Sequence, residues 1–439
     1  MSLVHGHLPE PAQRVYELLA DHPGPDTTAT PLADALDLTE PTVTAALQLL
    51  HTAHLIQRRS GQRYALADRF RQHATHLRGR LPLSVRNTQR ARLIDWYAAT
   101  AAATVPLLAP DAHRFSPPVA HDAVPHTHTD DHAARTWFGG EHRVLRAVLT
   151  TALDWHWDNV AVELAEAIWH LARPTYHHDD LVHAQQAGHT AAHRAHPGIA
   201  AVFGAREAAG LADLGRHDDA LAAIADATSL AHDTGDSRVL ALALSLSGRV
   251  RLAAGHPDDA LHEFTLALRH QRRLADDHHG HAVLHRRIGQ AYLARGRVHD
   301  AVRHLRDSSE EMTRTGHPLG AARAATYLAE ALIATRRPGV ALAELGRARR
   351  RIRDIAALRY HVGLDLAAAR AAYHLGDTGI THRLTDNLIH QLTHAGPGAA
   401  ADLHAATHLR DQVAAPPSGS AADHHDHMRG PSPPRTGRT

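Results

Sequence analysis

Histidine and aspartate are the side chains in this sequence most suited to chemistry, and they occur in mixed runs. The runs lie at residues 121–132, 177–180, 276–281 and 424–427. Imidazole and carboxylate groups together are ligands for zinc or nickel. The alternative is a composition bias, because 43 of the 439 residues are histidine and clusters then arise without a function. We favour that alternative and predict no metal site and no cofactor.

Other residue types argue against catalysis. The chain has neither cysteine nor lysine, which excludes a thiol nucleophile, a lysine Schiff base and the phosphate loop that ends in Gly-Lys-Ser/Thr. It also has no Gly-x-Ser-x-Gly elbow and no His-Glu-x-x-His motif. The adjacent acids Glu310 and Glu311 are more typical of a solvated helix face than of an acid–base pair. The sequence therefore predicts a protein that binds without catalysing a reaction, and no nucleotide partner.

Arginine offers a second kind of chemistry, the recognition of phosphates. Between residues 56 and 92 there are ten arginines and a single acid, Asp68. Arginine at that density is typical of nucleic-acid binding. The residues that would contact DNA are Thr42, Thr44, Gln48, Arg58, Arg59 and Arg63. However, the helix that would enter the DNA groove, residues 40–51, carries no arginine. We therefore favour the alternative, in which this segment packs against the rest of the chain.

The elements that would position these arginines form a winged helix at residues 8–80. Thr39 is a good N-cap, and Pro41 lies in the first turn of the helix that follows. Residues 56–66 alternate in polarity about a Ser-Gly turn, as a β-hairpin does. The predicted helices cover residues 11–22, 31–37 and 40–55.

One turn recurs in the second half of the chain. Its position is occupied by Gly215, Gly255, Gly296, Arg336 and Gly376, which are 40 or 41 residues apart. Such regular spacing is typical of stacked helical hairpins. Glycine at this position suits the left-handed residue that ends a helix.

Three columns of side chains accompany the turn. Seven residues before it, a small residue lets the partner helix approach: Ala208, Gly248, Gly289, Ala329 and Ala369. Five residues after it, the facing position is small again: Ala220, Ala260, Ala301 and Ala341, with Thr381 as the exception. Nine residues after it, a bulky residue is expected to fill the gap between one hairpin and the next: Ile224, Phe264, Leu305 and Leu345.

These columns resemble those of the tetratricopeptide repeat over roughly residues 204–392. The resemblance implies an α-solenoid whose first helices line a concave groove, in which a peptide or a partner helix would lie. The side chains that the repeat register places in this groove are Arg206, Glu207, Arg251, Arg286, Arg287 and Arg323. The arginines among them favour an acidic or carboxylate-bearing ligand. An irregular helical bundle is the alternative fold.

A second resemblance extends over residues 8–410. The segments Thr52-Ala-His-Leu-Ile56, Arg63-Tyr64-Ala-Leu66 and Asp95-Trp96-Tyr97 are similar to the winged helix and joining helices of actinobacterial STAND regulators of the antibiotic-regulatory type. In that family the winged helix usually packs inside the molecule, so the resemblance implies docking on the helix at residues 87–108. No NTPase module precedes the winged helix in this sequence, so we do not expect the family's ATP switch.

Together these features predict a mainly α protein, an α-solenoid of tetratricopeptide-like hairpins with an N-terminal winged-helix domain that carries a small β-hairpin. We expect a winged helix at 8–80, a helical adaptor at 81–200, repeats at 201–413 and a disordered tail at 414–439. The predicted function is regulation through a protein or peptide partner. The alternative is a DNA-binding transcriptional regulator whose repeats act as a sensor. Because we find no signal peptide and no apolar run of about 18 residues, we expect a cytoplasmic protein without a membrane partner.

Overall fold

The computed structural model describes residues 5–109, 113–274, 277–355 and 357–414. Within these ranges the chain is mainly helical, and its two strands form one short hairpin. None of the described helices is long and apolar enough to cross a membrane. The tail predicted at 414–439, with its histidine run at 424–427, lies outside the described residues except for Ala414, which ends the last helix.

The N-terminal segment, residues 10–78, is a small helical unit with a hairpin. Its elements are α1 (Glu10–Leu19), α2 (Ala29–Leu36), α3 (Glu40–Thr52), β1 (Ile56–Arg58), β2 (Tyr64–Leu66) and α4 (Asp68–Arg78). Helix α3 begins at the predicted residue because the Thr39 hydroxyl accepts a hydrogen bond from the Thr42 N–H (3.4 Å) and Pro41 occupies the first turn. The strands pair antiparallel, with Ile56 opposite Leu66.

Four longer helices follow the N-terminal segment, and the first two contact it. They are α5 (Leu83–Leu108), α6 (Asp131–Asp154), α7 (Asp158–Ala172) and α8 (His178–Ala195). Helix α2 packs along α5. Near this contact the buried His22 imidazole lies 3.1 Å from the buried Tyr97 hydroxyl. Gly24 approaches Val144 of α6 so closely that a Cβ on Gly24 would lie 2.7 Å from a Val144 methyl carbon. The N-terminal segment is therefore joined to the helices that follow by a buried contact.

Stacked helical hairpins form the remainder of the described chain. They are α9–α10 (Pro197–Asp213, His217–Thr234), α11–α12 (Ser237–Ala253, Pro257–Gln271), α13–α14 (His278–Ala294, Val298–Arg314), α15–α16 (Pro318–Ala334, Pro338–Arg351) and α17–α18 (Leu358–His374, Thr378–Leu392), followed by α19 (Ala400–Ala414). At every predicted turn position the backbone is left-handed, including Arg336 at a φ of 58°. Glycine adopts this φ without strain, whereas arginine has a Cβ that makes it costly.

The three columns of the repeat are buried, as their residue types predict. The partner of the bulky column differs from our expectation. Phe264 packs against Gly248 of its own hairpin, where an added Cβ would lie 2.5 Å from a ring carbon, and Leu305 packs against Gly289 in the same way (2.6 Å). The small residue on the first helix therefore makes room for the bulky residue on the second helix of the same hairpin. The exception Thr381 is also buried, and its hydroxyl donates to the Asp377 carbonyl (2.8 Å).

The solenoid curves until its last helices meet the turn between α7 and α8. There the Tyr176 hydroxyl donates to the Asp402 carboxylate of α19 (2.7 Å), although the two residues are 226 positions apart in sequence. Arg359 at the start of α17 lies 3.6 Å from Asp213, which also pairs with Arg249. Apolar side chains that pack with Tyr176 at this closure are Val362, Leu366, Leu388 and Leu392. The closure brings the end of α7 next to the start of α17.

Candidate functional site

The concave side of the hairpins encloses a cavity of about 540 Å³. Side chains from α9, α11, α13 and α15 line one side, and the end of α7 and residues near the end of α5 line the other. The larger apolar lining residues are Leu107, Leu108, Phe115, Trp169, Leu242, Leu246, Val283, Leu284, Met312, Leu319 and Ile355. The volume lies within the range of roughly 300–1,000 Å³ that ligand sites occupy.

Positive charge dominates the wall of this cavity. The lining arginines are Arg135, Arg173, Arg206, Arg238, Arg286, Arg287 and Arg323, against two lining acids, Asp131 and Asp277. Both acids are engaged. Asp131 lies 3.6 Å from Arg135, and Asp277 accepts hydrogen bonds from the Gly280 N–H (2.7 Å) and from the Gln271 amide (2.5 Å). Because the formal net charge of the whole chain is only +1, the cavity is a local concentration of positive charge.

Arg206 lines the cavity, and its positive charge is balanced by a carboxylate. Its guanidinium carbon lies 5.2 Å from the centre of the Trp169 ring and 5.5 Å from that of Phe115, and its side chain is 2% exposed. Glu166 lies 3.3 Å from Arg206 and also accepts the backbone N–H groups of Phe115 (3.0 Å) and Ser116 (2.6 Å). Burial lowers the pKa of Arg206, and the Glu166 carboxylate opposes that shift. This arginine therefore already has its counter-ion.

Five other lining arginines form no ion pair with a carboxylate of the described residues: Arg238 of α11 is one, and the other four lie close enough to repel one another. We call these four the arginine cluster: Arg173, Arg286, Arg287 and Arg323. None of the four forms an ion pair with a carboxylate of the described residues. Arg286 donates to the Gln290 amide oxygen (3.0 Å) and Arg287 to the Ser245 hydroxyl (2.6 Å), and both acceptors are neutral. Arg173 stacks over Trp169, with its guanidinium carbon 5.0 Å from the ring centre.

Burial and mutual repulsion act together on Arg173, Arg286 and Arg287, whereas the pKa of Arg323 is raised, because Tyr327, Tyr360 and Asp213 outweigh the effect of its burial. Burial, followed by the neighbouring Arg323 cation, lowers the pKa of Arg286 to about 9. Burial, followed by Arg286, also lowers the pKa of Arg287 well below its ordinary value. Burial alone would raise the pKa of the Tyr360 hydroxyl beside them, but the cations around it, led by Arg173, lower that pKa. Arginine stays protonated in proteins, so these lowered pKa values indicate positive charge that the protein compensates poorly.

Two of the predicted groove residues lie outside this cavity. Glu207 accepts a hydrogen bond from Gln186 on α8 (2.9 Å), and Arg251 extends towards Glu263 on α12 (3.4 Å). Successive residues of a helix point about 100° apart, so Glu207 turns away from the cavity that Arg206 lines. Arg251 pairs with the second helix of its own hairpin. The other four predicted residues, Arg206, Arg286, Arg287 and Arg323, line the cavity.

Arg63, which we expected among the DNA contacts, is used inside the protein. Its guanidinium donates to the Asp26 carboxylate (2.8 Å) and to both carboxylate oxygens of Glu141 on α6, one of them at 3.0 Å. The Glu141 side chain is 3% exposed. Burial raises the pKa of Glu141, and the Arg63 guanidinium opposes that shift. Arg63 therefore joins the hairpin to α6 and is not free for phosphate.

The other predicted DNA contacts lie at or near the surface. Arg58 and Arg59 are exposed on the hairpin, and Gln48 is exposed on α3. Thr44 and Gln48 line a shallow depression with Glu40, the acid that begins α3. The Thr42 hydroxyl lies 2.8 Å from that of the N-cap residue Thr39. The exposed face of α3 therefore presents an acid and neutral polar groups.

One histidine cluster has metal-ligand spacing in the described part of the chain. The ligand atoms of His142, His177 and Asp180 lie within 4.8 Å of one another. One Asp180 oxygen lies 2.6 Å from His142 Nδ1 and the other 3.1 Å from Arg146, and the His142 and His177 rings stack with centres 3.9 Å apart. Both carboxylate oxygens are in use, so we describe the three residues as a contact between α6 and the start of α8.

No protein-family model and no curated protein matches this chain. Among solved structures, it is similar to the STAND protein with a tetratricopeptide repeat sensor from Pyrococcus horikoshii, with 11% identity and a TM-score of 0.44 over 93% of this chain and 61% of that one. The chain thus spans less than two thirds of that protein's length. It is also similar to a Rap protein complexed with Competence and Sporulation Factor, with 11% identity and a TM-score of 0.44 over 66% of this chain and 89% of that one. A third similar structure is the Rap conjugation gene regulator of plasmid pLS20 in complex with a Phr peptide, with 10% identity and a TM-score of 0.42 over 93% of this chain and 97% of that one.

Proposed function

We propose that this chain is a non-enzymatic regulatory protein that binds a protein or peptide partner in the cavity of its stacked hairpins, in transcriptional or signalling control. The observation that carries the proposal is the cavity of about 540 Å³, with seven arginines and two acids on its wall. Concave surfaces of helical repeats bind extended segments or helices of their partners. A cavity of this size suits the end or a short loop of a partner better than a broad folded surface.

The N-terminal segment has a separate role in this proposal, as a winged helix that packs inside the molecule. Three contacts support this role. Arg63 pairs with Glu141, His22 lies against Tyr97, and Asp21 accepts a hydrogen bond from Arg78 (2.9 Å) and forms an ion pair with Arg90 of α5 (2.9 Å).

DNA binding by the N-terminal segment is the rival proposal. The exposed Arg58 and Arg59 favour it, because both are available to contact phosphates. Two observations weigh on the other side. Arg63 is held by carboxylates, and the exposed face of α3 begins with Glu40.

Photocrosslinking in the cells that make the protein would separate the two proposals. A benzoylphenylalanine would replace Val283 in the cavity wall, Arg59 on the hairpin or, as a control, Leu375, which is 51% exposed in a turn between helices. The proposal predicts a protein or peptide adduct at position 283 and none at 375. Adducts to DNA at position 59, with none at 283, would favour the rival proposal.

A further inference from the structure

We propose that the arginine cluster is a receptor for one compact dianionic group, either a phosphoryl group or two adjacent carboxylates, carried by the partner in the cavity. This inference rests on the proposed function and narrows it, because it assigns the chemistry of the group that the cavity recognises. Arg173 and Arg323 are half-buried, while Arg286 and Arg287 are 5% and 7% exposed.

The arginine cluster lacks a carboxylate counter-charge among the described residues. Buried charges in proteins are normally paired, because an unpaired charge loses its hydration without compensation. Three arginines in or beside the cavity follow that rule. Arg206 has Glu166, and Arg249 and Arg359 share Asp213. The four members of the cluster form no ion pair with a carboxylate in the described ranges.

Some N–H donors of the arginine cluster also remain unused. The Arg287 Nε–H is buried and has no acceptor, although the other end of the same guanidinium bonds Ser245. Arg286 has the Gln290 amide as its acceptor. Each guanidinium carries five N–H donors. Neutral acceptors therefore satisfy only part of the cluster, and an anion with several oxygens would satisfy more of it.

Two tyrosine hydroxyls lie among these cations, that of Tyr327, which pairs with Arg323, and that of Tyr360. The surrounding arginines lower the pKa of Tyr360, although burial acts in the opposite direction. A phenolate at Tyr360 would supply one negative charge against four positive charges. Tyr360 thus neutralises at most one of the four positive charges of the cluster. A dianion would balance most of the positive charge that remains.

The presence of arginine in place of lysine at these positions carries no information about the ligand. The chain contains no lysine, so an arginine appears wherever a cation is needed. What identifies the site is the convergence on one cavity of four guanidinium groups, from α13, α15 and the end of α7, that form no ion pair with a described carboxylate. Phosphoryl and paired carboxylate groups share the required chemistry, since both present several oxygens at high charge density and accept bidentate hydrogen bonds from arginine.

Thermal unfolding of the full chain with small anions tests this inference. The probes are inorganic phosphate and malonate, at a mildly alkaline pH, each compared with sodium chloride of equal ionic strength. The cluster variant is Arg286→Gln with Arg323→Gln. The control variant is Arg303→Gln with Arg314→Gln, which removes two exposed arginines of α14 (side chains 66% and 63% exposed).

We expect a saturable rise in melting temperature with phosphate, malonate or both, and the anion that acts at lower concentration identifies the group. The cluster variant should bind that anion at least about tenfold more weakly, because charge-assisted hydrogen bonds are lost, while the control variant should bind it as the parent does. Without anion, the cluster variant should melt at a higher temperature than the parent, since repulsion is relieved. A purely structural role for these arginines would lower that temperature.

Two outcomes would overturn the inference. One is the absence of a saturable response to either anion beyond that to chloride, and the other is an unchanged response in the cluster variant. Neither outcome would decide the proposed function, because an adduct at position 283 in the crosslinking experiment would still demonstrate a partner in the cavity. Conversely, a specific response to the anion without an adduct at position 283 would support the anion site and count against a protein or peptide partner in the cavity.

Discussion

Replacing Arg63 by alanine should destabilise the protein through Glu141. The guanidinium holds both oxygens of that carboxylate, and Glu141 cannot move into solvent, because its side chain is 3% exposed in α6. Asp26, the other partner of Arg63, is 24% exposed and keeps part of its hydration. Breaking a buried pair by removing one partner typically costs about 3–5 kcal/mol. We therefore expect a loss in the free energy of unfolding of about 3–5 kcal/mol at neutral pH, nearly all of it from Glu141.

The pH dependence gives this prediction a second readout. Without Arg63, burial would raise the pKa of Glu141 further, and the folded variant would take up a proton there. A carboxyl group with a raised pKa in the folded state binds more protons than it does in the unfolded chain, so the variant gains relative stability as pH falls. The difference in the free energy of unfolding between the parent and the Arg63→Ala variant should therefore become smaller as pH falls.

Chemical denaturation, with hydrogen exchange of α2 and α6 as a local probe, would measure both effects. Arg58→Ala is the matched control, because that arginine is exposed, and its effect should stay within about 0.5 kcal/mol. A double variant with methionine at 63 and leucine at 141 should recover most of the loss, since apolar pairs often replace buried ion pairs without a net cost. If Arg63→Ala behaves like Arg58→Ala, the N-terminal segment does not dock as described.

Three further predictions concern the repeats, the interface and the closure of the solenoid. Phe264→Ala should cost about 3–5 kcal/mol and Ala260→Leu about 1–3 kcal/mol, because both positions are fully buried, and unchanged melting temperatures for both variants would refute the repeat register. Burial lowers the pKa of His22 to about 4, so protonation of His22 favours the unfolded chain. The free energy of unfolding should therefore fall by about 3 kcal/mol as pH drops from about 6.5 towards 4. His22→Asn should remove that part of the acid sensitivity. Tyr176→Phe removes the hydrogen bond to Asp402 and should speed hydrogen exchange in α19 while leaving α9 unchanged, and equal protection of α19 in parent and variant would argue against the closure.

The repeat architecture could be predicted because it is periodic. A turn residue every 40 or 41 positions and small and bulky residues at fixed offsets define both the helices and their buried faces. The partner of the bulky column could not be predicted in the same way. An offset along the chain gives the face on which Phe264 lies, but not whether Gly248 or the next hairpin is opposite that face.

The cavity could be predicted only where its residues belong to the repeat. The register identified Arg206, Arg286, Arg287 and Arg323, because they lie on first helices. It missed Arg173 and Tyr360, which join the cavity at the closure of the solenoid. That closure depends on a contact between residues 226 positions apart, for which the sequence carries no local signal.

Arg63 illustrates the converse error. The density of arginines around Arg63 indicates affinity for phosphate. The carboxylates that neutralise Arg63 are distant in sequence, so no local pattern predicts them. Asp26 and Glu141 lie 37 and 78 positions away along the chain. Charge density in a sequence therefore predicts an excess of donors, whereas only the fold decides whether those donors are still free.

The most direct test of the central claim is the yield of photocrosslinked adduct at position 283 in three proteins. These are the otherwise unmodified chain, the Arg286→Gln/Arg323→Gln variant and the Arg303→Gln/Arg314→Gln control. If a partner is held in the cavity by the arginine cluster, the first and third proteins give the adduct and the second loses most of it. Equal yields in all three proteins, or no adduct in any of them, would contradict the account.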